Sequence, residues 1–228
     1  MKTDSEKIFE DICSAHSVPC EKIEEGAEKT ADYLIRMSNL EIIAEVKEIE
    51  RNAVERESDR LLEERGYGEC LRNEPGDRVR NKIRKASPQI KRLTAGSKPG
   101  ILVLFDGGRA HGHLDPYNLR VAMSGLEQVH IAVPRDPAQT SYATGMSHGP
   151  KRKMTEDSNT SISALAKIYT IDKNTIRLDI FHNRHAAIPI DPAVVHDAGF
   201  EQYFLVDSES GTSEWHKYEP KPVVEPDA

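Results

Sequence analysis

Long apolar runs are missing from this chain: none approaches the roughly 20 residues that a bilayer crossing needs, so neither a membrane span nor a membrane partner is expected. The opening stretch MKTDSEKIFEDI holds acids and no apolar segment, which predicts no secretory leader and a cytoplasmic location. Cysteine is scarce. Cys13, Cys20 and Cys70 are odd in number and far apart, which argues for reduced thiols over a disulfide framework or a zinc cage, and no function is assigned to them. Internal repeats are absent as well. A net charge of -7 argues against a protein that coats nucleic acid indiscriminately.

What is present is a globular balance, 37% hydrophobic and 30% charged, in a chain long enough for one core with additions. The charge is unevenly placed. Arg72, Arg78, Arg80, Lys82, Arg84, Lys85, Lys91, Arg92, Lys98 and Arg109 face only Glu74, Asp77 and Asp106 over the same stretch, a candidate phosphate-facing surface inside an acidic protein.

Apolar spacing predicts a helix over 5–17 with Ser5 as its cap. Strands are expected over 31–37 and 40–49 around a Ser38-Asn39 turn, then an exposed, highly charged connection over 48–65, either helical or irregular. Val79, Ile83, Ala86, Ile90 and Leu93 form the buried stripe of a second helix, over 77–93, which Pro88 should kink or restart at Ser87. Ile101 to Phe105 reads as a fully buried strand. Asp115-Pro116 opens another helix, and a strand follows at 129–133. The composition of 134–158 suggests a mobile loop, 162–171 and 175–181 a hairpin about Asp172-Lys173-Asn174, and the residues after 207 a loose polar tail with Pro220, Pro222 and Pro226.

Strand alternation puts Ile42, Ala44 and Val46 on one face and Ile43, Glu45 and Lys47 on the other. The first face belongs in the core, whereas a carboxylate and an ammonium on the second suit a site. A two-residue turn at Ser38-Asn39 makes paired positions sum to 77, so Asp32 lies opposite Glu45. Facing carboxylates repel unless a cation sits between them, and oxygen ligands with room for water suit Mg2+ or Mn2+. A solvated cross-strand salt-bridge cluster is the plain structural alternative.

These residues resemble the PD-(D/E)XK nuclease superfamily: Asp32 for the first acid, Glu45-Val46-Lys47 for the acid-x-lysine motif, Glu10 for the glutamate of the first helix and Gln89 for the polar residue of the second. Ala31 stands where that family has proline. The resemblance implies an α/β fold with a restriction-endonuclease-like core over 1–134: a helix, an antiparallel three-strand run, a helix and a strand. A mobile loop (135–158), a C-terminal β-hairpin extension (159–206) and a polar tail (207–228) would follow.

The function it implies is a divalent-metal-dependent phosphodiester hydrolase, a nuclease acting on DNA before RNA. Asp32 and Glu45 would hold Mg2+ or Mn2+, and Glu10 would contribute directly or through water. Lys47 would position the attacking water or offset charge, with Gln89 completing the catalytic set. Arg78, Lys82 and Lys85 would contact flanking phosphates, and Lys151-Arg152-Lys153 could close over a bound strand. A homodimer is compatible with this reading. The alternative is a non-catalytic nucleic-acid- or protein-binding module that keeps the nuclease fold.

Two histidine patterns compete weakly. His111-Gly112-His113-Leu114-Asp115 looks like a metallo-β-lactamase-type zinc motif, but Pro116 stands in place of its last histidine. His182-Asn183-Arg184-His185 is read as a hydrogen-bonded loop before a metal or substrate contact.

Overall fold

A capping box starts the first helix. In the computed structural model, which describes residues 2–24, 26, 29–67, 74–107, 112–171, 175–209 and 211–220, the Thr3 side chain accepts from the Glu6 amide and Glu6 reaches back to Thr3 N. Helix α1 therefore spans Asp4–Ala15 with Thr3 as its cap, two residues earlier than the Ser5 cap expected, because Thr3 and not Ser5 has an acid three residues on. Cys70, Arg72, Arg109, His111, the 172–174 turn, Pro222 and Pro226 lie outside the described residues.

Strands β1 (Cys20–Lys22), β2 (Tyr33–Met37) and β3 (Leu40–Glu48) form an antiparallel run, with β2 and β3 in the expected register from Met37↔Leu40 to Tyr33↔Ala44. The charged connection is itself helical. Asn52 and Glu55 build a second capping box that starts α2 (Ala53–Arg65), and Gly66 in the left-handed region ends it.

Helix α3 (Asp77–Thr94) buries Val79, Ile83, Ala86 and Ile90 and runs unbroken through Pro88, correcting the expected restart. Pro88 and Arg84 are both on the exposed side, so water can satisfy the Arg84 carbonyl that loses its donor.

Strand β4 (Gly100–Phe105) lies parallel to β3 and is apolar throughout because both its faces are covered. Ile101 and Val103 join Phe9, Tyr33, Ile42, Ala44 and Val46 in the layer under α1. Leu102 and Leu104 join Val79, Ile83 and Ile90 under α3, together with Leu119 of α4 (Pro116–Ser124), which Asp115 caps as expected.

The second half departs more from expectation. Strand β5 (Glu127–Ala132) pairs with β6 (Tyr142–His148) in a separate two-stranded sheet, so 135–158 contains a strand where a loop was expected. The alternating weak apolar residues of that stretch gain order from their cross-strand partners, which composition alone does not reveal.

The hairpin of β7 (Ala164–Thr170) and β8 (Ile176–His182) forms, but not as an extension packed on the core: β7 aligns parallel to β4 inside the main sheet. After α5 (Pro192–Asp197), β9 (Glu201–Asp207) and β10 (Ser213–Lys217) continue the same sheet, so the expected polar tail contributes an edge strand. Among the described residues the result is a mixed α/β fold on an eight-stranded sheet ordered β1-β2-β3-β4-β7-β8-β9-β10. No helix among them is long and apolar enough to cross a membrane. Cys13 and Cys20 are free thiols.

Candidate active site

Asp32 stands one residue before β2, where its amide donates at 3.1 Å to the carbonyl of Ala44, the residue that Tyr33 pairs with at the end of the β2–β3 register. Its carboxylate lies close to that of Glu45. Its carboxylate is fixed on the partner strand, because Oδ2 accepts from the Val46 amide at 2.8 Å. Glu45 points to the α3 side of the sheet, on the same face as its β4 neighbour Leu102. It is 0% exposed. Lys47 follows on the same face at 24% side-chain exposure, with its ammonium against Glu45 Oε1.

This is costly electrostatics for a carboxylate. Burial, followed by the neighbouring Asp32 carboxylate, pushes the Glu45 carboxyl up to about 7, and the Lys47 ammonium only partly opposes the rise. Apart from that ion pair, neither Glu45 oxygen accepts a well-formed hydrogen bond. Two acids with oxygens free to accept charge, forced together in a low-dielectric layer, fit a small hard cation in their donor chemistry.

Glu10 stays apart from this pair. It lies on the α1 face, where it accepts from the Tyr33 hydroxyl at 2.8 Å and pairs with Lys2 at 2.7 Å. Tyr33 shares its face with Ala44, which places Glu10 on the opposite side of the sheet from Glu45. A first-helix acid that sequence reasoning passed over, Glu6, pairs with Lys22 at 2.6 Å, and Glu6, Asp32 and Glu10 together hold that ammonium's pKa up. Glu6 was legible only as a helix cap, since its partner is in another element. Among the described residues no three His, Cys, Asp or Glu side chains gather as a metal-holding group. Glu10→Gln should therefore leave Mg2+ affinity within about twofold of wild type by calorimetry; a loss of tenfold or more would restore Glu10 as a ligand.

Gln89 comes near the acid pair through the backbone. Its Nε2 donates to the Thr30 carbonyl at 3.0 Å, and Arg92, three residues on, donates to the Lys29 carbonyl. Gln89 thus secures the approach to Asp32 and touches neither Glu45 nor Lys47 in any hydrogen bond of the structure.

The basic residues divide. Arg78 is taken up by Glu55 at 2.6 Å, an acid that also meets His113 Nε2 at 3.0 Å. Lys82 is half-buried, and burial lowers its pKa; nearby Lys85, Lys47 and Arg78 push the same way while Glu50 opposes. Lys151 is held by Glu74 at 2.9 Å and Lys153 is tied through its amide to α4, so that segment is anchored and does not hang over the site. Asp115 serves as the α4 cap, and its companion His113 is engaged with Glu55. His182 is buried in a 2.8 Å hydrogen bond with Gln202, and Arg184 pairs with Asp207.

No family model matches the chain, and neither does any curated protein or solved structure.

Proposed function

We propose that the protein is a divalent-metal-dependent phosphodiester hydrolase, a nuclease with DNA as its first substrate. The observation that carries this reading is the Asp32–Glu45 pair, two carboxylates set against each other on a covered sheet face with Lys47 beside them and Glu45 raised to about 7. Element order supports it. Helix α1, the antiparallel β1–β3 run, α3 and the parallel β4 follow the sequence of a PD-(D/E)XK nuclease core, with α2 inserted between β3 and α3.

Asp32 and Glu45 would hold the ion. Bound there, Mg2+ or Mn2+ would supply charge stabilisation at a phosphate oxygen and a more acidic water. Lys47, beside Glu45, would hold a water or offset negative charge growing on the phosphate. The Val46 amide keeps Asp32 oriented, and the α3 contacts to Lys29 and Thr30 hold the strand that delivers it.

A non-catalytic module with the same fold has one specific observation in its favour: Lys47 already compensates Glu45, and Glu10 is engaged on the other face. Incubation of labelled single-stranded and duplex DNA with the protein, with Mg2+, Mn2+ or EDTA, separates the two. Metal-dependent cleavage that Asp32→Asn abolishes is expected. Absence of cleavage together with no calorimetric binding of either ion would leave the non-catalytic reading.

A further inference from the structure

Beside Lys47, between the chain leaving β3 and the outer side of α3, lies a recess of about 400 Å³. Ile49 forms an apolar part of its lining, Glu50 and Arg51 contribute from the β3–α2 link, and Arg78, Lys82, Arg84 and Lys85 contribute from α3. The cations are not equally occupied. Arg51 is bound to Asp59, Arg78 to Glu55 and Arg84 to the Asn81 side-chain oxygen, while Lys82 and Lys85 form no ion pair or hydrogen bond among the described residues. Lys82 is half-buried within reach of Lys85, Lys47 and Arg78, and Glu50 opposes them. Like charges gathered in a partly desolvated recess repel, and an anion entering it removes that repulsion. This is the converse of the acid pair next door.

We propose that this recess is a phosphate subsite for the backbone of an unpaired nucleic-acid strand, seating the phosphate next to the one that meets Asp32 and Glu45. The second half of that statement rests on the nuclease reading. Lysine ammonium groups act on phosphate as point charges, and among the described residues no aromatic side chain lines the recess to stack on a base, so the subsite reads backbone and not sequence.

The preference for an unpaired strand follows from depth. Glu45 is wholly buried, Lys47 is three-quarters covered, and the recess has the volume of a small-ligand pocket. Duplex DNA is stiff over about 150 base pairs and carries its phosphates on the outside of a regular cylinder. It cannot bring one phosphate down to a covered carboxylate and turn the next into a recess beside it. A single strand bends at each nucleotide and can.

The test measures binding by fluorescence anisotropy in EDTA, with oligothymidylate and a mixed-sequence duplex of equal length, across a salt series. Wild type should bind the single strand at least tenfold more tightly than the duplex, and inorganic phosphate should compete. Lys82→Ala/Lys85→Ala should weaken single-strand binding at least tenfold and reduce the magnitude of its log-log salt slope by about 1.4, two contacts at about 0.7 each. Lys82→Arg/Lys85→Arg should restore both. An unchanged slope in the double alanine variant, or duplex bound as tightly as single strand by wild type, overturns the proposal.

The two readings fail separately. Lysine-dependent binding by a protein that cleaves nothing with Mg2+ or Mn2+ upholds the subsite and removes the nuclease. Metal-dependent cleavage with a slope that ignores Lys82 and Lys85 removes the subsite alone.

Discussion

Lys47→Ala should lower single-turnover cleavage of DNA by on the order of a hundred- to a thousand-fold while Mg2+ or Mn2+ binds at least as tightly as to wild type. The two effects have different causes. The Lys47 ammonium lies against Glu45 Oε1, where it competes with any other cation for that carboxylate. Removing it takes away a competitor, so affinity for a divalent ion holds or rises. The same ammonium is the only lysine on the β3 face beside the acid pair, so no neighbour on that strand replaces it during the reaction. Calorimetry on the variant measures the first effect and rapid-quench kinetics at saturating metal the second. Wild-type cleavage by Lys47→Ala would remove Lys47 from the chemistry. Lost metal affinity would instead show that its charge holds the pocket together.

The metal-free protein should lose stability as the pH rises through neutrality. Glu45 is held near 7 in the fold, against an ordinary value of 4.5, so the folded chain binds this proton more tightly than the unfolded chain does. Its contribution is complete below pH 4.5 and is lost as pH climbs through about 7, a change on the order of 3 kcal/mol for a shift of this size. Urea midpoints between pH 4 and 9 in EDTA measure it, and Mg2+ should restore the loss at the alkaline end by binding the ionised pair.

Asp32→Asn removes the neighbouring charge but leaves an amide oxygen for the Val46 N–H, so the variant at pH 8 should melt at or above metal-free wild type and ignore Mg2+. The salt-bridge alternative predicts the reverse: a variant less stable by up to about 1 kcal/mol, with no metal effect in either protein. A flat stability profile across neutral pH would show that Glu45 is not the strained acid described.

The site was readable in sequence to the extent that it is local. Alternation along Leu40–Glu48 separates Glu45 and Lys47 from Ala44 and Val46, and a two-residue turn leaves the hairpin one register, so the closeness of Asp32 to Glu45 follows from residues within 14 positions of each other. The α3 stripe and the apolar β4 run are likewise properties of spacing along a single element.

Tertiary structure decided what depends on distant partners. Glu10 turns to Tyr33 on the far face because α1 packs against the side of the sheet that carries Ala44 and Val46. Arg78, equivalent to Lys82 in the sequence pattern, is removed from the open cations by Glu55, on a helix that the sequence left open between helical and irregular. The β7–β8 hairpin could have packed anywhere; its place beside β4 comes from two apolar strands that each needed a second neighbour for their backbone hydrogen bonds. The depth of Glu45 is decided last of all, because the α3 layer that covers its face of the sheet begins more than thirty residues further along, and burial is a property of what covers a residue and not of the residue itself.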